Sequence, residues 1–115
     1  MARTPKADSR RELLPGTLDM LILKVLSCGP MHGYGIAQHI AEISDEVLQV
    51  EEGSLYPALQ RLRLQGWLDA EWAETPLGRR ARFYRLTAAG KKQLGIEVSE
   101  FQQLIAAISR VMRTT

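Results

Sequence analysis

The sequence has little with which to build covalent or cofactor chemistry. Cys28 is its only cysteine, which excludes a disulfide framework or a cysteine-only metal site within one chain. It stands in the apolar run MLILKVLSCG and reads as a small core residue. His32 and His39 are seven apart, with no carboxylate at a spacing such as H-E-x-x-H, so no metal site is expected. Cys28 and His32 make a poor catalytic dyad, both at the edge of an apolar helix. Gly29, Gly33 and Gly35 are followed by no G-K-[ST], which removes a phosphate loop. Neither an enzyme nor a cofactor is expected.

Aromatic residues are scarce, at 6%, so leucine, isoleucine, valine and alanine must make the core. No apolar run approaches the about 20 residues of a membrane span. The stretch MARTPKADSRRELL has no apolar signal core, and a cytoplasmic location is the expectation. At 115 residues, 45% hydrophobic and 24% charged, the chain has the composition of one globular domain. A net charge of +2 names no partner by itself. Where the charges stand matters more than their sum.

Residues 1–12 are polar, carry Arg3, Lys6, Arg10 and Arg11, and read as a basic, solvated tail. Next, LLPGTLDMLILKVLSCGP predicts a first helix capped by Thr17 and stopped by Gly29-Pro30, with Leu18, Leu21, Ile22, Val25 and Leu26 on its buried face. A second helix follows a turn at Gly33, where His32 helps the turn, with Ile36, Ile40 and Ile43 inward and Ala37 beside them. VLQVEE is extended at best. GSLYPALQRLRLQG is a third helix. In GWLDAEWAETPLGRRARFYRLT, Leu68, Ala70 and Trp72 alternate, as do Tyr84 and Leu86, around the turn TPLG, which predicts a hairpin. A long last helix begins after Thr87 as cap, weakened by Gly90 and Gly95. The fold expected is mainly α with a small β-hairpin wing: a winged helix-turn-helix over 13–87, then a C-terminal dimerisation helix over 88–115.

The third helix has a surface suited to duplex DNA. With Ser54 as N-cap, Pro57 falls at the third helical position, where its missing N–H has no partner to lose. At 100° per residue, Leu55, Leu59, Leu62 and Gly66 cluster inward. Pro57, Gln60, Arg61 and Leu64 lie opposite, with Ser54 near that side and Tyr56 on the flank. Arginine bonds guanine bidentately and glutamine does so with adenine, while serine and tyrosine hydroxyls suit phosphates. Beside this helix, GRRARFYR places Arg79, Arg80, Arg82 and Arg85 within seven residues, and no acidic residue occurs from 75 through 96. A one-sign wing can follow phosphates or enter a minor groove. Double-stranded DNA is the expected partner.

The last helix carries its own signal. Leu94, Val98, Phe101, Ile105, Ile108 and Met112 step by four, three, four, three and four, which is a heptad seam. Leu104 and Val111 widen it beyond what a small winged domain can cover. A homodimer with intertwined helices is expected.

Together LLPGTLDMLILKVL, GPMHGYGIA, EEGSLYPALQRL, GW and RRARFYRLTAAGKKQL resemble the PadR family of bacterial transcriptional regulators, near the variety labelled acidobacterial type. The resemblance covers residues 13 to about 112. It implies a cytoplasmic, homodimeric repressor of palindromic operators, often answering to a small aromatic or amphipathic effector. Ser54, Tyr56, Pro57 and Gln60 match the family's recognition-helix motif, and Arg79, Arg80 and Arg82 match its wing. Two positions depart from the pattern: Arg63 stands where glutamate is common, and the last helix has Phe101 but no tryptophan of the kind some drug-binding members carry. The rival reading is a winged-helix module that binds protein, since fold does not fix function. The basic wing disfavours it.

Overall fold

The computed structural model describes residues 16–114. The expected tail over 1–12 lies outside the described residues, as does the start of the expected 13–87 domain. The order is α1 (Thr17–Leu26), β1 (Met31–His32), α2 (Gly33–Ile43), α3 (Glu52–Leu64), β2 (Leu68–Glu74), β3 (Arg80–Leu86) and α4 (Ala88–Met112). Among the described residues, four helices pack with a three-stranded antiparallel sheet ordered β1-β3-β2.

Local chemistry sets the helix ends, and several differ from expectation. Thr17 is the first residue of α1 and not its cap. Gly16 precedes it at φ 89°, and the Gly16 carbonyl accepts the Met20 N–H at 3.1 Å. Cys28 is exposed, because α1 has already ended and the Cys28 N–H closes a turn onto Val25. His32, expected only to help the turn, caps α2: its Nδ1 accepts the Gly35 amide at 3.0 Å. Ile36 and Ile40 are buried, whereas Ile43 is 70% exposed. The helix stops at Ile43, where the Glu46 and Asp45 amides bond back to Ala41 and Glu42 and the chain turns away through two left-handed residues.

The start of α3 is the largest correction. Glu51, not Ser54, is its N-cap, and the Glu51 carbonyl accepts the Ser54 and Leu55 amides at 3.0 and 2.9 Å. Pro57 therefore stands sixth in the helix, not third. Its missing N–H removes the bond to the Gly53 carbonyl, which lies at an exposed residue where water can serve it. Glu52 in the first turn and Arg61 and Arg63 in the last complement the helix dipole. At the other end, Gly66 at φ 82° lies beyond the helix instead of on its inner face. There the Gly66 and Trp67 amides bond Arg63 and Leu62, each at 3.0 Å.

Residues 31–32 add a strand that periodicity could not reveal in so short a piece: Met31 pairs with Tyr84 and His32 with Phe83. VLQVEE contributes no strand. In the hairpin, Leu68 faces Leu86, Ala70 faces Tyr84 and Trp72 faces Arg82. Leu68, Tyr84 and Leu86 are buried, while Trp72 is 58% exposed because the hairpin projects past the core. The core joins these residues to Leu18, Ile22, Leu23, Val25, Leu26, Ile36, Ile40, Leu55, Ala58, Leu59 and Leu62.

One junction sets the course of α4. Thr87 caps it through a 3.0 Å bond from the Gly90 amide and also donates to the Gly66 carbonyl at 2.8 Å, while its own amide bonds Trp67. Gly90 packs so closely that a Cβ would collide with the Trp67 carbonyl and approach Leu86 to 2.7 Å. Gly90→Ala should thus destabilise the fold by about 1–3 kcal/mol. Gly95→Ala, where a Cβ meets nothing within 4 Å, should stabilise it by about 0.5–1 kcal/mol. Urea unfolding of both variants checks this; similar shifts would dismiss the close approach.

Candidate nucleic-acid interface

The outward surface of α3 is built on the burial of its opposite face. Leu55, Ala58, Leu59 and Leu62 are buried, so Pro57, Gln60 and Leu64 point away from the core, and all three are exposed. Ser54 is exposed in the second half of the first turn. Gln60 accepts a bond from the Arg63 guanidinium at 3.2 Å, which holds the amide along the helix surface.

The two flanks of the helix differ. Arg61 turns toward α1 and bonds Asp19 Oδ1 at 2.8 Å. Tyr56 turns the other way and lies across the start of α2. A Cβ on Gly33 would come within 2.8 Å of the Tyr56 ring and hydroxyl, so glycine at 33 is what lets the ring approach. Burial first, then Glu52 and Tyr84, hold the Tyr56 hydroxyl above its ordinary pKa. It is a protonated donor at neutral pH.

Tyr56 meets the wing in a cleft of about 260 Å³ lined by His32, Gly33, Tyr34, Trp72, Arg82 and Tyr84 among others. All three tyrosines of the chain line it. Tyr34 and Trp72 are not among the site residues expected from sequence; their signal was the GYG turn and a tryptophan far along the hairpin. Arg82 is half-buried at the cleft, with Nε unpartnered among the described residues. Arg80 lies with its guanidinium 5.7 Å from the Trp72 ring centre, and Arg79 is exposed.

The run of one charge sign is divided by the strand register. Arg85 faces Asp69 across the hairpin and bonds it at 3.2 Å, with Glu71 at 3.9 Å. Among the described residues Arg79, Arg80 and Arg82 enter no ion pair. The positions expected to reach a ligand thus fall into four places. Tyr56 and Arg82 share the cleft, Ser54, Pro57 and Gln60 stand on the open helix, Arg79 and Arg80 are exposed farther along the wing, and Arg61 is engaged with α1.

On α4 the seam runs down one side. Leu94 packs against the core, and beyond it exposure rises from 39% at Phe101 to 75% at Met112, with Ile105 and Ile108 between. No helix of the described residues is long and apolar enough to cross a membrane. No group of three or more His, Cys, Asp or Glu among them could hold a metal ion.

The model of the transcriptional regulator PadR-like family matches residues 22–96. Among solved structures, a transcriptional regulator from Clostridium thermocellum is 29% identical, with a TM-score of 0.76 over 83% of this chain and 92% of that one. A PadR-like transcription factor from Bacteroides fragilis is 31% identical, with a TM-score of 0.68 over 84% and 90%. A PadR family transcriptional regulator from Eggerthella lenta is 29% identical, with a TM-score of 0.75 over 87% and 85%.

The Arg61–Asp19 contact makes a measurable statement about α3. Arg61 is exposed and Asp19 only partly so, hence a double-mutant cycle of Asp19→Ala and Arg61→Ala should return a coupling of about 0.2–1 kcal/mol. The coupling should shrink in molar salt. A value near zero at low salt would free Arg61 from α1.

Proposed function

Because the chain belongs to the PadR-like family of transcriptional regulators, whose members bind DNA and are not enzymes, we propose that it is a cytoplasmic, homodimeric repressor of a palindromic operator. One observation carries this reading. Tyr56, on the flank of α3, and Arg82 of the wing line one cleft, so the helix and the wing stand side by side. In this reading α3 enters the major groove with Gln60 toward base edges, and Ser54 and Tyr56 donate to phosphates. Pro57 shapes the open face without donating. Arg79, Arg80 and Arg82 take phosphates or a minor groove alongside. Arg61 joins by exchanging Asp19 for DNA. A small aromatic or amphipathic effector releases the operator, and with Phe101 in place of tryptophan α4 gives it less surface for stacking.

The wing and the helix make separable contributions. Replacing Arg79, Arg80 and Arg82 with alanine should weaken operator and random DNA alike. It should also lower the slope of log affinity against log salt by up to about 0.9 per lost phosphate contact. Gln60→Ala should cost about 1–3 kcal/mol on the operator and much less on scrambled duplex, whose binding is mainly to phosphate. Fluorescence anisotropy over a salt series measures both. An unchanged slope removes the wing from the interface, and equal losses of Gln60→Ala on both duplexes make Gln60 a backbone contact.

Assembly is assigned to Leu94, Val98, Phe101, Ile105, Ile108 and Met112 of α4, paired with the same residues of a second copy. Two α3 helices would then reach successive major grooves about 10 base pairs apart. Ile105→Asp buries an unpaired charge in such a seam and should give a folded monomer or an unfolded chain. Light scattering after gel filtration decides: a folded dimer of this variant would place the interface elsewhere.

A further inference from the structure

Leu77, at the tip of the hairpin, is 87% exposed, the most exposed large apolar side chain among the described residues. A single exposed leucine ordinarily carries no meaning. This one differs in how it is held. The Gly78 amide donates to the Thr75 carbonyl at 2.9 Å, the Thr75 amide to the Arg79 carbonyl at 2.6 Å and the Arg79 amide to Thr75 Oγ1 at 3.2 Å. Pro76 restricts the first turn position, and Gly78 takes φ 82°. Four residues are thereby braced so that the isobutyl group stands at the apex, with nothing in its own domain to cover it.

The surroundings of the apex name its partner. Arg79 and Arg80 follow one residue after it and are free of ion pairs among the described residues. Arginine beside an apolar tip is a combination that suits a minor groove: the guanidinium answers the groove's negative potential. The apolar group, in turn, can wedge between base steps and kink the duplex. Phosphate contact alone would make no use of a leucine.

Resting on the proposed DNA-binding reading, we infer that the wing tip enters a minor groove beside the site of α3 and that Leu77 wedges into a base step there, bending the operator. The step it enters is a flexible pyrimidine–purine step, which unstacks at least cost. The protein thereby selects sequence at a position where it makes no base hydrogen bond.

The test uses the full chain and a duplex selected from random sequence by the wild-type protein, labelled at its two ends for energy transfer. Wild-type protein at saturation should bring the ends together, and Leu77→Ser should abolish most of that approach. Replacing the flexible step under the tip with a purine–purine step outside any A-tract should weaken the wild type by roughly tenfold and leave Leu77→Ser nearly unchanged. The salt slope of Leu77→Ser should equal that of the wild type, since no charge is lost. Equal bending by both proteins, or tight wild-type binding to a straight duplex, overturns the wedge and leaves the DNA-binding reading standing. Selection of no duplex at all overturns both.

Discussion

The packing of Gly90 against the carbonyl of Trp67 is the contact on which the arrangement of the candidate interface depends. Three elements converge there: the end of α3, the start of β2 and the start of α4. Thr87 ties them, donating to Gly66 and receiving from Gly90 while its amide holds Trp67. The carbonyls of Gly66 and Trp67 would otherwise be orphaned beyond the end of α3, and Thr87 satisfies both without lengthening the connection. A side chain at position 90 would push α4 off this turn. It would move the hairpin as well, because β2 begins one residue after Trp67.

The distribution of arginine follows from the same frame. Arg85 and Arg61 are spent on internal pairs with Asp69 and Asp19. One links the two strands of the hairpin and the other holds α3 to α1. Exposed pairs of this kind add little stability; their effect is to fix side chains and to remove charge from two places. Charge remains on Arg79, Arg80 and Arg82. The stretch from the last turn of α2 to the first turn of α3 is the reverse: it carries Glu42, Asp45, Glu46, Glu51 and Glu52, and no lysine or arginine occurs from 25 through 60. On the proposed reading, a phosphate backbone approaching α3 would be repelled at that edge and attracted at the wing, which would orient a duplex before any base is read.

Features that repeat locally were legible in the sequence, and those that depend on distant partners were not. The helical stripes of α1 and α3, the hairpin with its TPLG turn, and the cap at Thr87 all follow from periodicity or from one polar side chain at a helix start. The start of α3 was misplaced because Ser54 looked like a cap, whereas Glu51 caps the helix through its carbonyl alone, which no side chain announces. The strand at Met31–His32 is too short for alternation to register. Arg61 could be placed on the helix surface but not on α1, since Asp19 lies 42 residues away. The run without acids from 75 through 96 was real, yet it concealed Asp69 and Glu71 on the neighbouring strand. Likewise, the cleft gathers tyrosines from α2, α3 and β3, a convergence that only the packed sheet and helices produce.

On the proposed reading, the exposed seam of α4 and the surface of α3 are not independent. A second copy covering Phe101, Ile105 and Ile108 fixes the direction of α4, and α4 leaves the domain from the Thr87 junction. That junction also holds the last turn of α3, so the angle between two α4 helices sets the separation between two α3 helices. The lever is stiff near its origin, where Leu94 packs on the core, and uncovered toward Met112. Small changes in how two seams pack are therefore magnified along α4 before they reach α3. An effector would need only to favour one packing of the seam over another. It would release DNA by spacing the two α3 helices wrongly, without touching a residue that contacts it.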